Sequence, residues 1–344
     1  MKTIKKFKFI KLLLVSSILL SCSDDDAVQS TDNSEETSSA RLFTSNNANG
    51  NITIYDVSNM ADIKSKTLVT TSLKADGIYY DSSSDIAVQA SRDGSIALEG
   101  FANISSSVSG AAISKTIIGT SDMESPREVA VSGNFYVVAD NSDVDGDDST
   151  ADGRFFIYEK ADNKFMLRNT ITTNFKVWGI TFIDADLYAI VDTTNKLAMF
   201  KDFLSNTTDA TVMATKTIAV EGIVRTHGIT YDVSSNMMIL TDIGDAASGT
   251  DGGFHMISSF KSKFSAVADG GTLALTDQIR VAGSNTNLGN PVDVAYDSKT
   301  ETVFIAEAKN GKILAFNSIS NGGNLEPAIS NSLESASAVY FQRK

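Results

Sequence analysis

The chain has 344 residues, of which 42% are apolar and 8% aromatic, enough to bury a large core in one or two domains. Its formal net charge of −13 disfavours nucleic acids and anionic membrane surfaces as partners, because both select basic protein surfaces. Only 3 Pro and 23 Gly occur, which argues against a fibrous or low-complexity protein.

Residues 1–22 have the pattern of a bacterial lipoprotein signal peptide. Several lysines precede an apolar run at 12–20 that is too short to span a membrane. Leu19, Leu20, Ser21 and Cys22 resemble the lipobox of such signals, and Cys22 is the only cysteine. We therefore predict lipidation at Cys22, so that the lipid alone attaches the protein to a membrane. An ordinary secretory signal is the alternative.

The segment that follows the cysteine is acidic and polar. Ser23, Asp24, Asp25 and Asp26 resemble the export signal of Bacteroidota lipoproteins that are sent to the outer face of the outer membrane. Residues 23–40 contain almost nothing apolar, so they predict a flexible tether that cannot offset its ordering entropy. The expected location is the outer membrane, facing the cell exterior.

The rest of the chain is organised around a repeat that is clearest at residues 291–316. This stretch predicts three strands, and Asn310-Gly311 predicts a tight hairpin turn between the second and third. Similar first strands recur, and the six copies start near residues 77, 128, 179, 228, 293 and 338. Such recurrence of one strand unit indicates a repeat architecture.

The sixth copy is split between the two ends of the chain. Residues 337–342 end the sequence without a second and third strand, and matching strands occur at 41–44 and 51–57. This arrangement is expected where a ring of blades is closed by pairing the chain ends, which removes open sheet edges. The sequence therefore predicts an all-β fold, a six-bladed β-propeller over residues 41–344 with one blade shared between N- and C-terminal strands.

The repeat carries a family resemblance. Pro291-Val-Asp-Val-Ala-Tyr-Asp, with Asn310-Gly-Lys-Ile after it, resembles the NHL repeat, as does Pro126-Arg-Glu-Val-Ala-Val. Six-bladed families of the lactonase and hydroxyglycine-lyase type are similar at this level. The resemblance implies the fold and leaves the function open, because propellers host enzymes, sensors and binding scaffolds alike.

One position just before each first strand is expected to line the mouth of the central channel. The residues at this position are Asp76, Arg127, Trp178, His227, Val292 and Ser337. Their polar convergence predicts a binding site with an aromatic platform for a small anionic or sugar-like ligand. The alternative is that each residue is satisfied locally in its own loop.

Two functions follow from this ring. The first is a surface-anchored module that binds a small molecule, a glycan or a protein at the channel face. The second is a lyase or lactonase-like hydrolase with a metal-assisted site, for which Asp76 and His227 are the catalytic candidates and Glu128 or Asp293 further ligands. Arg127 and Trp178 count against a metal, because they would repel or crowd a cation.

A long acidic turn in the second blade resembles a calcium-binding loop. Oxygen-bearing side chains alternate around a glycine, Gly146, at Asn141, Asp143, Asp145, Asp147 and Asp152. Alternating oxygens wrap a hard cation, so we predict calcium in a structural role, with a solvated acidic loop as the alternative. Four other acids recur at the ends of second strands, where turn amides are their expected partners: Asp140, Asp192, Asp242 and Glu307.

Overall fold

The computed structural model describes residues 39–147 and 149–344. The predicted signal peptide, Cys22 and all but the end of the predicted tether lie outside the described residues. Among the residues that the structure does describe, no helix is long and apolar enough to cross a membrane.

The strands form six antiparallel sets of four, and a short parallel pairing of Lys164 and Phe165 with Ile118 and Gly119 joins two of the sets. In chain order, five sets comprise β4 (Ala75–Asp81), β5 (Ile86–Ser91), β6 (Leu98–Ala102) and β7 (Lys115–Gly119); β8 (Pro126–Ser132), β9 (Phe135–Asp140), β10 (Gly153–Ala161) and β11 (Lys164–Thr173); β12 (Val177–Ile183), β13 (Asp186–Val191), β14 (Lys196–Phe200) and β16 (Lys216–Val220); β17 (Ile229–Asp232), β18 (Met237–Asp242), β19 (Gly253–Ile257) and β21 (Ile279–Ala282); and β22 (Pro291–Asp297), β23 (Thr302–Glu307), β24 (Lys312–Phe316) and β25 (Ile329–Ser332).

The remaining set joins the two ends of the described chain. It runs from β26 (Ala336–Arg343) through β1 (Ala40–Asn46) and β2 (Ile52–Asp56) to β3 (Lys64–Leu68). Two short strands, β15 (Ala210–Thr211) and β20 (Thr272–Leu273), pair in parallel with strands of the preceding set. The described residues also contain one α-helix, α1 (Phe260–Ala266), and 3-10 turns at Phe203–Ser205, Leu275–Asp277, Ser284–Thr286 and Ile319–Asn321.

The six sets form a closed ring. Each first strand contacts the first strand of the next set, in the cycle β4, β8, β12, β17, β22, β26 and back to β4. The apolar core lies between neighbouring sets, because each cluster of buried residues draws on two of them. Phe43 and Tyr80, for example, stack between the closing set and the first one, with centroids 4.2 Å apart.

Burial along the strands follows from this arrangement. Strands in the middle of a set are covered on both faces by neighbouring sets, so β5 and β23 are buried at every position. The outermost strand β7 has only one buried residue, Ile117. Middle strands therefore appear in the sequence as short continuous apolar runs, the pattern of a fully buried strand.

The all-β propeller that the sequence predicts is confirmed. The predicted pairing of the chain ends is also confirmed, since β26 pairs with β1 and contacts the first strands β22 and β4. The predicted Asn310-Gly311 hairpin is wrong in detail. Glu307 pairs with Lys312, which makes a four-residue connection, and only Gly311 in it has positive φ, 62°. A type I′ turn needs two such residues, so the connection is of another type.

Candidate functional site

Five of the six ring residues lie at the start of first strands, where β-bulges interrupt the pairing, whereas His227 precedes β17, whose described pairing with β18 contains no bulge. The bulges skip Arg127 in β8 and Val292 in β22, include Trp178 in β12, and follow Asp76 directly in β4. A bulge places an unpaired residue in a strand and redirects its side chain. At the channel mouth, the side chains at these bulges therefore do not follow the regular alternation of side chains along the strand.

Five of the six predicted ring residues line one cavity of about 200 Å³, here called the ring cavity. Its walls include Asp76, Arg127, Trp178, Val292 and Ser337. His227 is the exception, because it is absent from the walls and only 4% exposed. Five residues that the repeat did not indicate complete the walls, and Asn47 and Arg92 are the ones among them with long polar or charged side chains.

The charges of the ring cavity are unbalanced. Asp76 Oδ2 lies 2.9 Å from Nη1 of Arg92 and 3.6 Å from Nη1 of Arg127, so two guanidinium groups share one carboxylate oxygen. Asn47 Nδ2 donates to the other oxygen at 3.0 Å. Burial raises the pKa of Asp76, but the two guanidinium groups oppose this rise and favour the carboxylate. The cavity then holds one more positive than negative charge.

Burial and the neighbouring Arg92 lower the pKa of Arg127 to about 10, which leaves it charged at neutral pH. Two buried polar atoms of the walls have no hydrogen-bond partner among the described residues, Oδ1 of Asn47 and Nε of Arg92. Buried polar groups are normally satisfied, and an unsatisfied one in a cavity indicates a place for water or a ligand.

Trp178 is held between two other residues of the ring. Its ring centroid lies 3.5 Å from that of His227, with the planes 4° from parallel, and the Arg127 guanidinium carbon lies 4.2 Å from the indole centroid. Both neighbours fit only if they cover opposite faces of the indole. The structure thus corrects the predicted aromatic platform, because no indole face is left for a sugar ring.

His227 supports this stack from behind. Its Nε2 lies 3.0 Å from Oδ1 of Asp192, and Arg225 Nη2 lies 3.0 Å from the same oxygen. Burial lowers the pKa of His227 to about 4, although the Asp192 hydrogen bond opposes this shift. The imidazole is therefore neutral at pH 7 and donates from Nε2 to the carboxylate.

Asp192 was expected to serve a turn, and it does accept from the Thr193 amide at 2.6 Å. The sequence did not indicate its side-chain partners, His227 and Arg225. Burial alone would raise the pKa of Asp192, but hydrogen bonding to His227 and the charge of Arg225 lower it to about 2. Asp140, Asp242 and Glu307 each accept from a backbone amide of the turn that follows their strand, as predicted.

The geometry does not suit the predicted metal-assisted site. Asp76 faces two guanidinium groups, and His227 bonds Asp192 behind the indole, so the two catalytic candidates are committed to different partners. Among residues 39–147 and 149–344, neither belongs to a set of three acidic, histidine or cysteine side chains close enough to share an ion. We therefore assign Asp76 and His227 no metal-ligating role.

The acidic loop of the second set does gather three carboxylates. Oxygens of Asp143, Asp145 and Asp152 lie within 4.8 Å of one another, and Asp143 Oδ2 is buried without a hydrogen-bond partner. Calcium prefers such oxygen ligands. The other two predicted ligands are placed elsewhere: Asn141 Oδ1 accepts from Arg127 Nε at 2.9 Å, and Asp147 accepts from the Ser149 amide at 3.0 Å.

Comparisons with known proteins give the fold and no family. No family model matches the chain, and no curated protein matches it. A presumed 6-phosphogluconolactonase from Bacteroides uniformis is similar, with a TM-score of 0.58 and 11% identity over 89% of this chain and 100% of that one. A second, from Bacteroides fragilis, has a TM-score of 0.57 and 10% identity over 88% and 98%.

The structure of a nidogen/laminin complex is also similar, with a TM-score of 0.56 and 10% identity over 88% of this chain and 98% of that one. The neighbours thus include both a protein from a binding complex and presumed enzymes. At these identities the likeness shows the β-propeller fold alone.

Proposed function

We propose that this protein is a binding module whose ring cavity holds a small anion that carries a carboxylate or phosphate group. The observation that carries the proposal is the sharing of one Asp76 oxygen by Arg92 and Arg127. An anion would complete the coordination of the two guanidinium groups, which present several donors in a planar fork that matches carboxylate and phosphate oxygens.

The size and polarity of the cavity narrow the ligand. At about 200 Å³ it is smaller than pockets for drug-sized ligands, which span roughly 300–1,000 Å³. Oδ1 of Asn47 is available to accept from a ligand hydroxyl group. A short hydroxy acid or a sugar acid fits these features better than a neutral glycan, because neither face of Trp178 is free for stacking.

Features of the sequence support a location for this module at the cell surface. A lipid on Cys22 and the acidic segment after it would attach the propeller to the outer membrane, facing the exterior. The fold neighbours are compatible with a sugar acid as ligand, since two of them are presumed to act on a phosphorylated gluconolactone. We do not propose lactonase chemistry, because Asp76 and His227 are held by other partners and do not share an ion site.

Intrinsic fluorescence tests the proposal, because Trp178 is the only tryptophan and lines the cavity. Titration with gluconate should change the emission and saturate, whereas sorbitol, its neutral counterpart, should not change it. Arg92→Gln should weaken gluconate binding at least tenfold, and Arg168→Gln, which removes the same charge from an outer strand, should leave it intact. Equal responses to sorbitol and gluconate, or undiminished binding by Arg92→Gln, would refute the proposal.

A further inference from the structure

A second cavity of about 520 Å³ lies along the first strands, beyond the ring cavity, and is here called the channel cavity. It is lined by all six first strands, so it occupies the centre of the propeller. Its volume falls within the range of pockets that bind small organic molecules. Neither the ring residues nor the acidic loop belongs to it.

The layer that separates the two cavities has an unusual composition. The residues one position after the ring residues are Gly77, Glu128, Gly179, Gly228, Asp293 and Ala338. The glycines are required by close backbone approach: a Cβ at Gly179 would lie 2.2 Å from the His227 carbonyl oxygen, and one at Gly228 2.6 Å from the Asp293 Cα. The only long or charged side chains of this layer are the two acids.

The two acids come from opposite sides of the channel. Glu128 lies on β8 and Asp293 on β22, which are three places apart in the ring of six first strands. Both side chains line the channel cavity, and Glu128 is 9% and Asp293 4% exposed. The carboxyl groups therefore face one enclosed space from its two sides.

Their hydrogen bonds leave capacity for a ligand. Asp293 accepts from the amides of Val294 and Val339, both at 2.7 Å, which ties β22 to the neighbouring strand β26. Glu128 accepts from the Val129 amide at 2.9 Å through Oε1. Its Oε2 receives no hydrogen bond from the residues that the structure describes, and Glu128, which is 9% exposed, lines the cavity.

The basic side chains that line the channel cavity do not lie next to the two acids. Asp76 adds to the negative field from the ring side. The tyrosines of the channel walls are Tyr79, Tyr231, Tyr296 and Tyr340. The two cations of the cavity, Lys299 and Arg343, are at the far end of the strands, where Arg343 bonds Asp297. Asp232 lies at the same end and accepts from serine hydroxyl groups.

The pair responds to this environment by holding a proton. Burial, together with the charge of Asp293, raises the pKa of Glu128 well above its usual range. Burial likewise raises the pKa of Asp293, to about 7. A cation between the two groups would replace that proton.

Aromatic rings extend the site along the channel. Tyr79 and Tyr340 contact edge to face, with centroids 5.0 Å apart, and both line the cavity next to the acids. Aromatic faces attract ammonium groups and cover alkyl stems. The facing positions in other sets are small, for example Thr181 and Thr230, which leaves room for a stem.

From this arrangement we propose that the channel cavity binds an organic cation, with a primary ammonium group between Glu128 and Asp293 and its alkyl stem along Tyr79 and Tyr340. On binding, the ammonium group donates N–H to the two carboxylates, and the proton held by the pair passes to the solvent. This site is separate from the proposed anion site in the ring cavity.

Calorimetry with n-butylammonium chloride tests the proposal, with 1-butanol as the neutral probe of the same shape. We expect one saturable site for butylammonium, net proton release near pH 6.5, and no binding of butanol. Proton release is measured by comparing two buffers that differ in ionisation enthalpy and contain no primary amine. Glu128→Gln and Asp293→Asn should each weaken binding at least tenfold, whereas Asp162→Asn on an exposed turn should not.

The wild-type results stand even if an acid variant fails to fold. Equal heats for butanol, a binding heat without proton release, or no saturable heat would each overturn the proposal. Equal weakening by Asp162→Asn would do the same, because it would show a nonspecific effect of net charge. Gluconate binding to the same samples reports the ring cavity, so failure of one site is distinguishable from failure of the other.

Discussion

Trp178 lies flat against His227, with ring centroids 3.5 Å apart and planes 4° from parallel. Because Arg127 covers the opposite indole face, the three side chains form one stack that connects three neighbouring blades. Asp192 fixes the imidazole at the back of the stack through Nε2. The guanidinium group that faces the ring cavity is thus positioned by packing and by hydrogen bonds before any ligand arrives.

The stack predicts an unusual pH response of tryptophan fluorescence. Burial lowers the pKa of His227 to about 4, and a protonated imidazole quenches a stacked indole more strongly than a neutral one. Emission should therefore fall as the pH decreases through about 4, with little change between pH 7 and 5. Far-UV circular dichroism at each pH controls for acid unfolding. A midpoint near the ordinary histidine value of about 6.5 would contradict the buried stack, and His227→Gln should remove the transition.

The carboxyl pair in the channel predicts that the Asp293→Asn variant gains stability relative to wild type as the pH rises. Folded Asp293 has a raised pKa of about 7, so its contribution to stability is complete below about pH 4 and is lost as the pH rises towards 7. An asparagine side chain does not ionise, so the Asp293→Asn variant does not lose stability in this way as the pH rises. The free energy of unfolding of the variant, relative to wild type, should increase by roughly 1–4 kcal/mol between pH 4 and 7.

Urea denaturation at several pH values measures this difference, with Asp162→Asn as the control. The variant lowers absolute stability through the weaker acceptor that it offers to Val294 and Val339, so the slope with pH is the informative quantity. A relative stability that is flat or falls across this range would show that Asp293 is ionised in the folded protein.

Glycine at the layer between the cavities should be indispensable. A Cβ at Gly179 would lie 2.2 Å from the His227 carbonyl oxygen, so Gly179→Ala must separate two first strands or displace the stack. We expect a loss of at least about 2–3 kcal/mol of unfolding free energy. Gly119→Ala is a matched control, because its Cβ would meet its nearest atom at an ordinary 3.5 Å. Similar melting temperatures for the two variants would contradict this strand spacing.

The acidic loop predicts a calcium-dependent melting temperature. Calcium in hundredfold excess over its dissociation constant would stabilise the fold by roughly 2.7 kcal/mol, and a chelator would reverse the effect. Asp143→Asn and Asp152→Asn should abolish the response, whereas Asp147→Asn should retain it, since Asp147 lies outside the group of three. A melting temperature that is indifferent to calcium and chelator would leave the loop as a solvated acidic turn.

The repeat made the propeller predictable, because each blade must bury its apolar faces against neighbours and therefore repeats the same strand pattern. The same repeat located the ring position, and five of the six residues placed there do line one cavity. The irregular segments between the repeated strands contain no such pattern. The helix α1, which lies in one of these segments, was not predicted.

Partner choice within the site could not be predicted from the sequence. Arg92 lies just after a second strand, outside the aligned position, yet it shares Asp76 with Arg127. Asn141 fits a calcium-loop position by spacing, but its side chain accepts from Arg127 instead. Spacing along a chain cannot show which of several polar neighbours from other blades a side chain will face.

Calorimetric titration of gluconate into wild type, Arg127→Gln and Arg168→Gln tests the anion site most directly. We expect one saturable site in wild type, with binding weakened by salt and by phosphate as competitor. Arg127→Gln should bind gluconate at least tenfold more weakly and Arg168→Gln with unchanged affinity, with all three proteins folded at the assay temperature. Equal affinity of wild type and Arg127→Gln, or no binding by wild type at low salt, would contradict the proposed anion site.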